Sequence, residues 1–269
     1  MRTFRLAVSL GSIAIITAAL AGSAVAASAS ASGGGGGGAS AAAAVPDKGI
    51  LPPKNPARDV IPSPDFLLAK SCTGGGDSAA CNTVVLRAAT HARKVLEKLG
   101  GLSFSLAAYE KLTPDEQLFV SANAERVQRG RAAIAMLTKS LDEVAQDGAN
   151  ADADPPFSKV PDTLPGGGRW VSLGGNWAGG YDNALGADYG WMYNDKGSAW
   201  GHRDNILRQY LSPSSCPGQH RETAMGAGHV TKGKAYGDSE TELFAGICGA
   251  APTDAVMTWA RAKQLLHIT

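Results

Sequence analysis

The chain has 269 residues, enough for one large domain or two small ones, and a net charge of +1. That balance supplies no global field for nucleic acid or an anionic surface. With 6 % aromatics and no basic stripe interleaved with them, a nucleic-acid partner has no support.

Arg2 and Arg5 precede an apolar run from Leu6 to Ala21, and Ala24-Val25-Ala26 follows. A charged start, an apolar middle and a small-x-small site describe a secretory signal cut near Ala26–Ala27, so residues 1–26 are expected to be a leader and the protein to be extracellular. The rival, an uncleaved anchor, is weakened by Ser9, Gly11, Ser12 and Thr17 within the run and by the lack of a basic stop after it. No other segment approaches spanning length. Residues 27–70 read as a linker. The run Gly33 to Gly38 among Ala and Ser makes its first part flexible, and Pro46, Pro52, Pro53, Pro56, Pro62 and Pro64 stiffen the second. About 200 residues remain, the size of one domain.

Cys72, Cys81, Cys216 and Cys248 in an exported chain imply two disulfides, with three connectivities open. Proximity in sequence favours Cys72–Cys81, around Gly74-Gly75-Gly76, and Cys216–Cys248.

From Asn82 to Leu99, Val84, Val85, Ala88, Ala89, Ala92, Val95, Leu96 and Leu99 recur at helical spacing. Arg87, Arg93, Lys94, Glu97 and Lys98 hold much of the other face, and Gly100-Gly101 stops the helix. The next helix has a strong start: Thr113 as cap, Pro114 at the first position and Glu116 to close a capping box. It runs through Leu118, Phe119, Ala122 and Val127 to Gly130. A third helix is expected from Ser140, with Glu143 three residues on, to about Ala151. Arg169 to Leu173 reads as a short strand, Ala184 to Tyr193 as a helix, and Met225 to Val230 and Glu242 to Ile247 as strands with Gly237-Asp238 near the turn. Thr253 to Leu266 reads as a last helix. Helices first, then helices mixed with a few antiparallel strands, predict an α+β fold.

Trp191-Met192 followed by Trp200-Gly201-His202-Arg203-Asp204-Asn205-Ile206-Leu207 resembles the "W-M … GHR-x-N-I-L" segment of the CAP superfamily (cysteine-rich secretory proteins, antigen 5 and pathogenesis-related proteins), in its bacterial SCP-like extracellular form. Asn123-Ala124-Glu125-Arg126 is similar to the family's "N-x-x-R" helix, and Gly174-Gly175-Asn176-Trp177-Ala178 to its "G-E-N" turn. Met225-Gly226-Ala227-Gly228 and Thr241-Glu242-Leu243-Phe244 are similar to its closing strands. The resemblance covers about residues 81 to 250. It implies a domain over 71–250 with a small antiparallel sheet between helical layers, followed by a C-terminal helix in 251–269.

The family pattern also shows what is missing. Many members bind a divalent cation through two His and one or two Glu. Here Lys159 follows Phe157-Ser158 where the first His is expected, and Gly175 stands where a Glu is expected. Metal sites need three or four convergent donors, so no metal and no cofactor are expected. His202 alone stands at a family ligand position. It is either a functional imidazole lining a cleft, facing Glu240 or Glu242, or a hydrogen-bonded residue that fixes the loop before Asn205. If it holds a metal, Glu240, Glu242 or Asp195 is expected to supply the carboxylate that Gly175 cannot. Asn176, Trp177, Trp191 and Glu242 join His202 as the candidate cleft, with Trp200 a further apolar neighbour. Asn176 also has a local reading, as a turn-bonding Asn among glycines. Asn123 and Arg126, three apart on one helix face, are expected to bond a neighbouring loop. The resemblance implies a secreted, non-enzymatic module that binds an apolar ligand, an envelope component or a protein. The alternative is an extracellular hydrolase using His202 with a nearby carboxylate, with or without metal.

Overall fold

The computed structural model describes residues 55–56, 78–212 and 214–268. The expected leader, most of the expected linker, and Cys72 with its pairing to Cys81 lie outside them. Asn55, within the expected linker, donates from Nδ2 to Asp204 Oδ1 at 2.9 Å.

Seven α-helices and five strands are present among the described residues: α1 (Ala79–Glu97), α2 (Leu106–Tyr109), α3 (Pro114–Val127), β1 (Met136–Thr138), α4 (Lys139–Ala151), β2 (Arg169–Gly179), α5 (Ala184–Tyr193), α6 (Gly201–Leu207), β3 (Arg221–Gly233), β4 (Gly237–Cys248), β5 (Ala255–Thr258) and α7 (Trp259–Leu266). The fold is mixed helix and sheet, as the α+β expectation holds.

The caps explain where several helices start. Ser78 caps α1 by accepting from Cys81 N, and Asn183 caps α5 by accepting from Gly186 N. At α3 the full capping box forms, Thr113 accepting from Glu116 N and the Glu116 side chain accepting from Thr113 N. α4 departs from expectation. It starts at Lys139, and Ser140 is no cap; its N–H is instead satisfied from outside, by Asp254 Oδ2 at 2.7 Å.

One five-stranded sheet has the order β2-β4-β3-β1-β5. β4 pairs antiparallel with β2 and β3, while β1 pairs parallel with β3, so the sheet is mixed rather than purely antiparallel. β5 pairs antiparallel with β1 and closes the far edge. This corrects the last helix: its expected first half is strand, and the helix begins at Trp259. Met257 faces in and Val256 out, an alternation four residues too short to outweigh the helical pattern that follows.

Side chains alternate across β2, β4 and β3. The rows Gly174–Phe244–Met225, Asn176–Glu242–Ala227 and Ala178–Glu240–His229 lie on one face. There Phe244, Met225, Ala227 and Ala178 join a core with Leu118 and Phe119 of α3 and Leu185 and Met192 of α5. On the opposite face Leu243, Ala245 and Ile247 pack on Leu141, Val144 and Ala145 of α4. α4 lies very close to β3. A Cβ on Gly226 would fall 2.1 Å from the Leu141 carbonyl carbon, and one on Gly228 2.5 Å from Gln146 Cα.

α4 also completes β3. Beyond its short pairing with β1, β3 has a free edge, and there Asp142 Oδ1 accepts from Ala227 N at 2.8 Å. Gln146 brackets His229, accepting its N–H at 3.3 Å and donating to its carbonyl at 3.1 Å. Cys216 and Cys248 are bonded across a sequence separation of 32, tying the loop before β3 to the end of β4.

Candidate functional site

The Trp200–Leu207 segment is organised by Asp195. Ala199 and Trp200 both take positive φ, 53° and 65°, a conformation costly for side-chain-bearing residues. The Asp195 carbonyl accepts from Ser198 N and Trp200 N, each at 3.0 Å, which holds this tight turn. Its carboxylate then caps α6: Oδ2 accepts from His202 N at 3.0 Å and Arg203 N at 3.3 Å. Oδ1 pairs with His202 Nδ1 at 2.6 Å. The Asp195 side chain is 4 % exposed and the His202 side chain 28 %. Of the three carboxylates considered for His202, it meets Asp195, seven residues back on its own turn, rather than Glu240 or Glu242. Asp154 is close enough that, although burial raises its carboxyl, His202 offsets part of the rise.

Asn176 and Glu242 sit side by side on β2 and β4, both fully buried. Asn176 is no turn residue, because the expected "G-E-N" turn is strand: β2 runs on to Gly179. From that strand Asn176 Nδ2 donates to Glu242 Oε2 and to the His202 carbonyl, each at 3.2 Å, and its Oδ1 accepts from Asn205 Nδ2 at 3.1 Å. Asn205 Nδ2 also donates to the Gly175 carbonyl at 2.7 Å. These contacts fasten α6 to the outer edge of the sheet.

Burial, and next the nearby Asp188, push the Glu242 carboxyl well above the usual carboxylate range. Asp188 is raised likewise by burial and then by Glu125. Among the described residues, Asp188 Oδ1 and Glu242 Oε1 are buried without a hydrogen-bond partner. Both shifts favour the protonated form, since a buried unpaired charge costs far more than a buried neutral acid.

The tryptophans are structural in their contacts. Trp191 is 3 % exposed and donates from Nε1 to the Trp177 carbonyl at 3.1 Å. Trp177 is half-buried, donates from Nε1 to Ser239 Oγ at 2.8 Å and meets Tyr236 edge to face. Trp200 is buried.

Gly175 faces the other side of β2, where the Phe157 ring covers it; a Cβ there would lie 3.0 Å from Phe157 Cζ. An aromatic ring thus fills the space a carboxylate side chain would need. Lys159 points away to an exposed ion pair with Asp147 at 2.7 Å. Among the described residues, no group of three or more His, Cys, Asp or Glu is placed to hold a metal ion.

Sequence reasoning missed the largest polar assembly. Arg93, Arg129 and Arg203 converge on Glu97 and Glu125, with the Tyr193 hydroxyl donating to Glu125 Oε1 at 2.6 Å. Burial alone would raise the Glu125 carboxyl, but Arg129 and Arg93 overcome it and hold it below its usual range. Arg203 adds a bond to the Met192 carbonyl at 2.7 Å. The network joins α1, α3, α5 and α6. Its one local signal was Glu125 and Arg129 at i,i+4. Asn123 and Arg126 behave as expected: Asn123 brackets Ile134, and Arg126 Nη1 donates to the carbonyls of Ile206 and Arg208 at 2.6 and 2.7 Å.

Two open cavities lie elsewhere. One, of about 380 Å³, is lined by Ala132, Ala133, Ala135, Gln209, Leu211 and the start of β3; the other, of about 400 Å³, lies between α1 and Leu106 of α2. Neither touches His202. Compared with known proteins, the chain matches no family model, no curated sequence and no solved structure. No helix among the described residues is long and apolar enough to cross a membrane.

Proposed function

We propose that the chain is an extracellular, CAP-like module that binds without turning substrate over. The observation that carries this reading is the commitment of Asp195. Both its carboxylate oxygens are engaged in holding the start of α6, and His202 is the third group tied to that cap. A general base needs an orienting partner and a substrate-facing cleft with a nucleophile or electrophile within reach. Here Asn176, Glu242 and Trp191 are buried and bonded to their own fold, and Phe157 covers Gly175.

The motif segments support the CAP-like architecture by the elements they occupy. Asn123 and Arg126 lie on α3, Trp191-Met192 on α5, His202 and Arg203 on α6, and the two closing segments on the paired β3 and β4. The ligand class is an apolar or amphiphilic envelope component, or a protein displaying one. Mixed with isolated cell-envelope fractions, the purified chain is expected to co-sediment with one of them while releasing no product from ester, amide or glycoside substrates.

A second reading has one specific observation behind it. A carboxylate 2.6 Å from Nδ1 of a partly exposed imidazole is the arrangement that orients a general base. Turnover abolished by both His202→Ala and Asp195→Asn, in variants that remain folded, would replace the binding reading with a hydrolase.

A further inference from the structure

The outer face of α1 carries charge of one sign. Arg87, His91 and Lys94 stand at i, i+4 and i+7, and Lys98 caps the helix one turn on, so the four share one side. All four are exposed. The only acid in α1, Glu97, is turned away and held by Arg129 and Arg203. The chain as a whole is close to neutral at +1, so Arg87, Lys94 and Lys98 make this face a local concentration of cations.

Between those cations lies the cavity of about 400 Å³, lined by Thr83, Leu86, Arg87, Thr90, His91, Lys94 and Leu106. Its lining has no acid. Leu86 and Leu106 supply the apolar wall, both packed against the core from behind. The second cavity differs in both respects: its one cation, Arg221, already donates to the Ser212 carbonyl at 2.8 Å, and Glu222 lines it. A helix with cations flanking half-buried apolar positions suits an interface that is anionic at its surface and apolar just beneath.

We propose that this face of α1 docks the protein on an anionic phospholipid bilayer. Arg87 and Lys94 meet lipid phosphates, and the Leu86–Leu106 cavity takes the apolar part of a lipid beneath the headgroup. The inference deepens the binding reading above and rests on it for the claim that the protein acts by binding; it adds the surface and the chemistry. Each Lys or Arg close to an anionic surface strengthens attachment about five-fold, so Arg87, Lys94 and Lys98 together supply about a hundred-fold preference for anionic over neutral lipid. Beyond a Debye length of about 8 Å at physiological salt that attraction is screened, so the preference falls as salt rises.

The test is co-sedimentation of the full chain with phosphatidylglycerol vesicles and with phosphatidylcholine vesicles, at low and high salt. The wild type is expected to sediment with phosphatidylglycerol, to be released by salt, and to ignore phosphatidylcholine. Arg87→Gln with Lys94→Gln should weaken binding about twenty-five-fold, the product of two single-charge losses. Lys94→Gln with Lys98→Gln reads the same face independently if the first pair perturbs folding. Lys232→Gln with Lys234→Gln, on the β3–β4 hairpin, removes as much charge elsewhere and should leave binding unchanged. Equal binding to both lipids, equal loss from the hairpin pair, or no sedimentation with either vesicle overturns the proposal. In the last case, capture by a non-lipid envelope fraction would leave the binding reading standing, while failure in both assays would end both.

Discussion

His202 and Asp195 show how one contact decides between roles at the scale of a residue. Removing the imidazole leaves Asp195 Oδ1 without its partner but keeps the two backbone bonds to Oδ2. Removing the carboxylate strips the first turn of α6 of its cap as well. His202→Ala is therefore expected to lower stability by about 1 kcal/mol, and Asp195→Ala by about 2–3 kcal/mol, in urea unfolding. The reverse order would show that His202 has structural partners other than Asp195. The GHR segment singled out His202, and Asp195 was one of three candidate carboxylates for it. Spacing could not choose among them, because two consecutive positive-φ residues, Ala199 and Trp200, fold the chain back onto Asp195. Arg93 was misplaced for a related reason: periodicity put it on the polar face, yet it is fully buried, because Glu125 on another helix supplies the charge it needs.

At the scale of elements, the contact between α4 and β3 controls the sheet. Gly226 and Gly228 let the helix backbone approach closely, so Gly226→Ala must push α4 away or distort β3. The expected cost is about 1–3 kcal/mol or more, measured by chemical denaturation. An unchanged midpoint would mean that α4 moves freely.

The same contact predicts a pH dependence. Burial, together with Asp115, Asp254 and Glu116, raises the Asp142 carboxyl to about 8, with the Ala227 N–H opposing. Between its ordinary value of 3.8 and about 8, the folded state holds a proton that the unfolded chain has released. Stability from this group is thus complete below the unfolded value and is lost as pH rises through the folded one. Thermal unfolding midpoints should fall from pH 5 to pH 8. Asp142→Asn, which keeps the acceptor for Ala227 N, should flatten that fall; an equal slope in the variant would contradict the assignment.

The long elements with caps or strict periodicity, α1 and α3, were readable from sequence. β1 was not, since Met136-Leu137-Thr138 is three buried residues whose strand character depends on β3 and β5 beside it.

For the whole molecule, the Cys216–Cys248 bond links the approach to β3 with the end of β4, the central strand of the sheet's antiparallel part. Closing that loop constrains the unfolded chain by about 3–4 kcal/mol on the entropic account. Reduction, verified by thiol counting, is expected to lower the melting temperature. No change would mean that the bond adds nothing to stability. The α+β class was legible at this scale because strands and helices follow one another in blocks. The site was legible only as a list of residues, since Asn176 was read as turn and Glu242 as a partner of His202. The strand pairing that sets them side by side joins positions 66 residues apart.

His202 is tied into the cap of α6, and the proposed function is binding without metal-assisted chemistry. Thermal unfolding of the wild type across a titration of zinc, repeated for His202→Ala, addresses it most directly, because a cation held by the folded state must raise its melting temperature. No concentration-dependent shift is expected in either protein, and the variant should have the lower midpoint throughout. A shift that grows with zinc in the wild type and disappears in His202→Ala would contradict this reading, and would make Asp195 and His202 the core of a metal site.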